Sequence, residues 1–537
     1  MSDRPITEVE EFGHLGLVAA LFKDYGLTDK IDRLLPKLSN NQKINHSQAI
    51  QCMVYQGLGF SDRRLYSAKR FFAAKPIETL MGRGVDLDML NDDVLGRSLD
   101  AIHAYGPSKF FSDLVFSTLL KNKLVSKFIH MDSTSHSFFV KKYSKDSGIE
   151  VRYGHSKGRK DLTQLVQLLM TTDQGIPFWS KTYSGNANDR EIFQQSVQSV
   201  NEYFKTCGFA DEVCVVSDSA LYSKKFLLNK DITGSWMARV PESIKRAKQL
   251  VESDHKKAPW IKINQDYKYR EESVSYGGKR QRWIIVNNRE ARYKELSTLQ
   301  RNLDKEEWLL EKKTKSLMNT VFQSRETLNS EFKRIVKRHP LFELRKTIIG
   351  HYKRRRGKKR PIQSGYKVII GFSRHEKLIK KLENKRGKFI IGTNDLDPKL
   401  TPERIVEVYG GRNQNIEGCF KFIKDSSFRL NEVFLKRVDR IESLMAIMAL
   451  SLFVNNLGQL KLREALKTKQ LSLPSQNGKR TQSPTLKWAF QTMRNIIKVR
   501  VNIFGRIYEE FKGLEAAQRI IIECFGSSAK MIYGSSP

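Results

Sequence analysis

The chain has 537 residues, with 95 Lys and Arg against 58 Asp and Glu, a formal net charge of +37. Hydrophobic residues make up 39% and aromatic residues 10%, ample for a core, which excludes wholesale disorder and leaves room for several domains. A folded chain this basic calls for a polyanionic partner, either nucleic acid or an anionic membrane surface.

Membrane is the weaker of the two. The most apolar run, Leu444 to Val454, is far shorter than the ~20 residues needed to cross a bilayer. The N-terminus, Met1-Ser-Asp-Arg-Pro, has no apolar signal core. Five scattered cysteines (Cys52, Cys207, Cys214, Cys419, Cys524) form no C-x-x-C pair, so neither a disulfide framework nor a zinc site is expected. The expectation is a cytoplasmic, nucleoid-associated protein that binds nucleic acid and no membrane.

Residues 1–125 read as mostly helical. Ile50, Met53, Val54 and Leu58 fall at helical spacing, with Gly57 or Gly59 to end the helix. A second helical stretch, Asp62 to Phe72, interleaves Arg63, Arg64, Lys69 and Arg70 with Leu65, Tyr66 and Phe71. Asn91-Asp-Asp starts a third as a cap with acidic residues in the first turn. Short helices with a basic face suit a DNA-binding module; a plain helical domain with solvated lysines is an equal reading.

From Lys127 the period changes. Phe128-Ile-His-Met-Asp132 reads as a strand ending in a carboxylate. Leu162 to Thr172 and Gly175 to Ser184 read as a hairpin about Asp173-Gln-Gly175. Asp189 to Phe204 reads as a helix, and Val213-Cys-Val-Val-Ser-Asp218 as a strand buried on both faces. The pattern is α/β with a mixed sheet. Trp260 to Val286 reads as hairpin material about Gly277-Gly278. Asn287 to Arg338 carries a stripe of Leu296, Leu299, Leu303, Leu310, Leu317, Val321, Leu328 and Phe332, expected as a coiled-coil-like helix or helical hairpin. Its stripe suits packing within the chain better than a dimer seam. Lys353 to Arg360, including Arg354, Arg355 and Arg356, has seven basic residues in eight, either a DNA contact or a solvated loop. Strand-like runs follow at Tyr366 to Phe372 and Lys388 to Thr393. The remainder reads as helical: Pro402 to Lys424, Arg437 to Val454, a loop over Lys467 to Ser483, then one long final helix opened by Ser483-Pro484.

Asp132 and Asp218 each end a predicted strand, and Glu417 sits within a predicted helix. An acidic residue after a strand is more often a turn former than a catalyst. A set of three, however, cannot stay desolvated and ionised without cations. Carboxylate oxygens select Mg²⁺ or Mn²⁺, and two such ions can clamp the oxygens of a phosphodiester. His130, two residues before Asp132, could join such a site or simply pack. Trp260 and Trp283 could stack on a flipped base or, more in keeping with hairpin aromatics, pack.

Tyr409-Gly-Gly-Arg412-Asn-Gln-Asn-Ile-Glu417…Lys424 resembles the Y-R-E-K signature of bacterial insertion-sequence DDE transposases, the cut-and-paste group of the IS-four superfamily, sixteen-thirty-four-like branch. Tyr153-Gly-His-Ser-Lys157-Gly-Arg159-Lys-Asp161…Gln164, Gly175-Ile-Pro177 and Gly185-Asn186-Ala-Asn-Asp189 resemble further landmarks of that group. So do Arg239-Val-Pro241, Gly387 to Asn394, and Lys75-Pro76 with Leu90 to Asp100. The resemblance implies an α/β fold with an RNase H-like mixed-sheet core, a large α+β insertion before the glutamate, and helical flanking regions. The implied division is a DNA-binding domain over 1–125, core over 126–240, insertion over 241–400, core with the glutamate helix over 401–465, and a loop and helical region over 466–537. It also implies that Asp132 bridges two Mg²⁺ or Mn²⁺ ions, that Asp218 and Glu417 complete one each, and that Tyr409, Arg412 and Lys424 hold phosphates. Lys157, Arg159 and Arg354 to Arg356 would join them on DNA. The implied reaction is cleavage at the element's inverted-repeat ends and strand transfer into target DNA by a homodimer on double-stranded DNA. One spacing departs: four residues separate Arg412 from Glu417 where three are usual, so either the helix begins differently or Arg412 is not the signature arginine. The rival readings are a non-enzymatic DNA-binding protein and a metal-dependent nuclease without strand transfer.

Overall fold

The computed structural model describes residues 6–36, 44–60, 68–82, 84–138, 148–154, 161–209, 213–229, 234–252, 259–354, 356–425, 435, 437–503 and 506–534. The chain forms two compact units, Met1–Met237 with Glu407–Pro537, and Ala238–Val406. It is a mixed α/β protein, with a large mixed sheet and many helices.

The first unit's sheet has the spatial order Pro177–Ser184, Thr163–Thr172, Phe128–Phe138, Cys214–Ser217, Ser235–Arg239. The first three strands run antiparallel, and Cys214–Ser217 runs parallel to Phe128–Phe138. The continuous apolar run predicts a strand buried on both faces, and all four of its residues are buried. The long helix Val438–Thr468 packs on Pro177–Ser184 and on the helices Asp92–Tyr105 and Pro107–Lys121. Its length and mean hydropathy of 1.4 would suffice for a membrane span, yet 89% of its most apolar window is buried inside this unit, so here it is the core helix. Arg440 from this helix donates to both carboxylate oxygens of Asp100, at 2.8 and 2.7 Å, fixing the N-terminal helices to it. Asn91 caps Asp92–Tyr105 as its side chain predicts, accepting from the Val94 N–H.

Two expectations change at the ends of the chain. Residues 1–125 include a strand, Ile6–Glu11, and the single long helix expected after Pro484 is instead a short helix, Leu486–Thr492, followed by strands Ile497–Ile503 and Arg506–Lys512 and helices Ala516–Phe525 and Ser527–Ile532. Ile497, Val499, Val501 and Ile503 alternate with Lys498, Arg500 and Asn502, a period of two that the proline start signal had masked. The three strands pair across the whole length of the chain, with Arg500 set between Glu8 and Glu509 and ion-paired to both.

In the second unit, Lys388–Thr393, Lys279–Asn288, Tyr267–Tyr276 and Ile261–Lys262 form consecutive antiparallel strands. Gly277 and Gly278, both at positive φ (61° and 73°), make the two-residue hairpin turn. The leucine stripe forms a helical pair, Arg289–Asn319 and Arg325–Arg338. Its residues pack inside the unit: Leu299 and Leu303 against Ile379, Leu310 with Ile335 and Phe342, and Leu328 with Phe332, Val368 and Ile370.

Candidate active site

The parallel register carries Phe128 onto Cys214 and His130 onto Val216. The same offset separates Asp132 from Asp218 (214 − 128 and 218 − 132 are both 86), so the register sets the two carboxylates level on adjacent strands, roughly 5 Å apart strand to strand. The first strand does not end at Asp132, as its sequence pattern predicts, but runs on to Phe138, whereas Asp218 directly follows Cys214–Ser217. Asp132 Oδ1 accepts from the Ser133 N–H at 2.8 Å, and Asp218 Oδ1 accepts from the Ala220 N–H at 2.8 Å. Arg412 Nη2 donates to Asp132 Oδ2 at 2.9 Å, with side chains 11% and 17% exposed. Burial, opposed by Arg412 and assisted by Asp218, raises the Asp132 carboxyl above the ordinary carboxylate range. Burial works against the Arg412 charge, but Asp132, Tyr409 and Asp218 outweigh it and raise its pKa. Lys424 also lies near Asp132; crowding lowers its ammonium pKa and the aspartate's charge opposes that.

The segment bearing Arg412 and Glu417 is not a regular α-helix. Pro402–Arg412 continues through a π turn, Asn413–Glu417, into the helix Gly418–Ile423. In an α-helix, at about 100° per residue, positions five apart diverge by about 140°. A π turn closes i→i+5 hydrogen bonds, so residues five apart return to nearly one line. Glu417 follows Arg412 through this turn, and Arg412 itself meets Asp132.

Gly175 is the seat of this turn. It has φ +76°, and a Cβ on it would lie 3.1 Å from the Asn415 carbonyl oxygen, so a side chain would push the turn away. Its own carbonyl accepts from Asn456 Nδ2 at 2.7 Å and from Cys419 Sγ at 3.4 Å. Asn415 Nδ2 in turn donates to the Asp173 carbonyl at 2.7 Å. His130, fully buried, meets the Asp173 carboxylate at 3.2 Å, so that acid is its partner. Gly154, Gln164 and Gly185 also converge. A Cβ on Gly154 would fall 2.0 Å from Gly185 O, and Gln164 Nε2 donates to that oxygen at 2.7 Å. Ser133 Oγ donates to Asp189 Oδ1 at 3.0 Å, at the start of helix Asp189–Thr206.

Asp132, Asp218, Arg412, Tyr409 and Lys424 are thus brought together. Two carboxylates from adjacent strands, one with its acidity suppressed by burial, are a donor set that fits a hard divalent cation. Among the described residues, no three His, Cys, Asp or Glu side chains are grouped to hold a metal ion; Glu417 is half-buried at the end of the π turn that follows Arg412. Lys157, Arg159 and Arg355 lie outside the described residues; Arg354 and Arg356 are exposed at a hairpin tip in the second unit. Trp283 is fully buried, with its N–H on Gln281, which excludes stacking on a base. Trp260 carries the Arg270 guanidinium 4.3 Å and the Lys388 ammonium 5.7 Å from its ring centre. The sequence marked Gly175 as part of the Asp173-Gln-Gly turn and of the Gly175-Ile-Pro177 landmark but not what rests on it, and gave no sign of Asn415 as a support.

Residues 7–116 match the model of a domain of unknown function, DUF4277. No curated protein sequence matches the chain. Among solved structures, a cryo-EM piggyBac transposase synaptic complex with hairpin DNA aligns at TM-score 0.36 and 8% identity, over 90% of this chain and 80% of that one. That likeness is too slight to bear on fold or mechanism.

Proposed function

We propose that the chain is a DDE transposase that cuts and joins DNA by metal-dependent phosphoryl transfer, on an RNase H-like core interrupted by the second unit. The observation that carries this is the level pair Asp132 and Asp218 with Arg412 on one and Lys424 beside it. The sheet order, third-second-first-fourth-fifth strand along the chain, supports the core reading. DUF4277, a domain found in transposases, over residues 7–116 supports the class. The N-terminal region 1–125 is proposed to bind the element's ends, with two copies of the chain acting together on double-stranded DNA.

Asp132, Asp218 and Glu417 would hold Mg²⁺ or Mn²⁺, two ions, which when bound supply charge stabilisation to an in-line displacement at phosphorus. The chain's own groups orient the phosphate. Among the described residues, the buried Nε–H of Arg412 has no partner, and an incoming phosphate oxygen would satisfy that donor as a charge-assisted bond. Lys424 lies near the Asp132 carboxylate and Tyr409 near the Arg412 guanidinium, and both would hold the neighbouring phosphates.

The test is cleavage of a plasmid carrying the DNA that flanks the gene, with MgCl₂ or MnCl₂, by wild type and by Asp132→Ala, Asp218→Ala and Glu417→Ala. Each substitution should abolish cutting and leave DNA binding nearly intact. Undiminished cutting by any one removes that residue from the site, and the Glu417 variant decides the third position.

A further inference from the structure

The two-stranded ribbon of the second unit has one face packed and one face bare. Its strands, Phe342–Lys353 and Ile362–Arg374, pair from Phe342↔Arg374 to Lys353↔Ile362. Leu344, Ile348, Val368 and Ile370 face inward onto Leu328 and Phe332. The opposite face carries Arg345, Thr347 and Ile349 beside Gly371, Ile369 and Lys367, in that register. Ile349 is 42% and Ile369 55% exposed. Beyond the bridge between Phe322 and Tyr366, which pins the ribbon to the unit, the hairpin runs on to its basic tip.

The charge of this element is extreme. From Phe342 to Arg374 there are eleven Lys and Arg and one acid, Glu343. Arg374 is held by Asp304 and Glu307, and Lys346 lies over the Phe332 ring. Among the described residues, none of Arg345, Lys367, Arg354, Arg356, Lys358 or Arg360 has an ion-pair partner. A bare face with unmatched positive charge, extended by a denser basic tip, is complementary to a polyanion.

We infer that this ribbon lies in the major groove of duplex DNA, its open face against base edges and its tip on the phosphates. The dimensions select that groove. Two strands about 4.8 Å apart, with their side chains, fill roughly the 12 Å of a major groove and exceed the roughly 6 Å of a minor one. The chemistry agrees: Arg345 and Lys367 can donate to guanine edges, and Thr347, Ile349 and Ile369 can meet thymine methyls. Single strands are bound on stacked aromatic platforms, and this face carries none; Tyr352 near the tip folds over Gly350. The inference rests on the reading of the chain as a DNA-acting protein and is independent of its catalysis.

The experiment uses the full chain, a fluorescent 30-bp duplex and the matching single strand, with anisotropy read across salt concentrations. A tip variant combines Arg354→Ala, Arg356→Ala, Lys358→Ala, Lys359→Ala and Arg360→Ala; a face variant combines Arg345→Ala and Lys367→Ala. Both change exposed or half-exposed side chains, and unchanged circular dichroism and melting establish that they fold. At about 0.9 per phosphate contact, the slope of log K against log salt should fall by up to about 4.5 for the five tip charges, whereas the face variant, which loses base-edge contacts, should bind roughly 10-fold or more weakly with its slope little changed. Methyl green, which fills the major groove, should weaken wild type more than the face variant, and netropsin, which fills the minor groove, should not distinguish them. A wild-type slope in the tip variant with wild-type affinity in the face variant, an equal loss on single strands, or netropsin removing the portion the variants lose would each overturn the inference. A chain that binds through the ribbon but never cuts defeats only the catalytic proposal, and one that cuts with both variants binding normally defeats only this one.

Discussion

Removing Arg412 should expose how much strain the aspartate pair holds. In Arg412→Ala, Asp132 loses the 2.9 Å bond to Nη2 and is left, mostly buried, facing Asp218 with Lys424 as the nearest opposing charge. Breaking a buried pair by deleting one partner costs about 3–5 kcal/mol. Both side chains keep some solvent, which brings the expected loss to ~2–3 kcal/mol, or a drop in Tm of about 3–4 °C for a unit of this size. The double variant Asp132→Asn/Arg412→Ala removes the stranded charge and should regain about 1–2 kcal/mol of that loss, a coupling expected between contacting residues. Scanning calorimetry of the full chain at pH 7.5, without divalent ions, measures all three proteins. Millimolar Mn²⁺ should then raise the Tm of Arg412→Ala more than that of wild type, because a cation bound only to the folded state takes over the arginine's electrostatic role. An Arg412→Ala protein that melts within 1 °C of wild type, or a double variant no more stable than the single, would refute the electrostatic account of this site.

Acid should destabilise the first unit earlier than carboxylate titration alone predicts. His14 and His136 are fully buried and their pKa values are lowered from 6.5 to about 4, mainly by burial, with Lys424 adding to the effect at His136. Because the folded pKa lies below the unfolded one, the unfolded chain binds more protons between pH 6.5 and 4. Stability is therefore complete above 6.5 and falls by up to ~1.4 kcal/mol per pH unit for each histidine. Tm measured from pH 7 to 4.5 should show this slope, and His136→Gln should roughly halve it; an unchanged slope would show that His136 is not the titrating group. Gly175→Ala should cost about 1–2 kcal/mol and lower cleavage, whereas Gly208→Ala, also at positive φ (+66°) but with open space around it, should cost about 1 kcal/mol or less with cleavage unaltered. Equal melting of the two would mean that contact with the π turn contributes nothing. Wild-type affinity for duplex DNA should fall steeply with salt, and a flat log–log plot would reject the polyanion argument drawn from the +37 charge.

Local pattern sufficed wherever the determinant lies within a few residues. The buried run before Asp218, the Asn91 cap, the Gly277-Gly278 turn and the leucine stripe each depend on neighbours one to four positions away, and each was legible. Asp218 was legible too, since an acid directly after a strand is a local feature, whereas the strand of Asp132 runs six residues past it. What could not be read is what those acids face. Arg412 is 280 positions from Asp132, and a π turn follows it. No local propensity favours that turn, and its place depends on Gly175 and the strands beneath it.

The ends of the chain teach the same lesson. Ile6–Glu11 and Ile497–Ile503 are nearly 500 residues apart, and a short strand is stable only once its partner supplies hydrogen bonds and opposing charge. By itself the sequence determined composition, period, turns and the inventory of acids and bases. Tertiary structure decided which strands pair, which acid meets which base, and which faces stay bare. The reason is physical: propensity and capping act between near neighbours, while pairing, burial and electrostatic matching depend on distances in space.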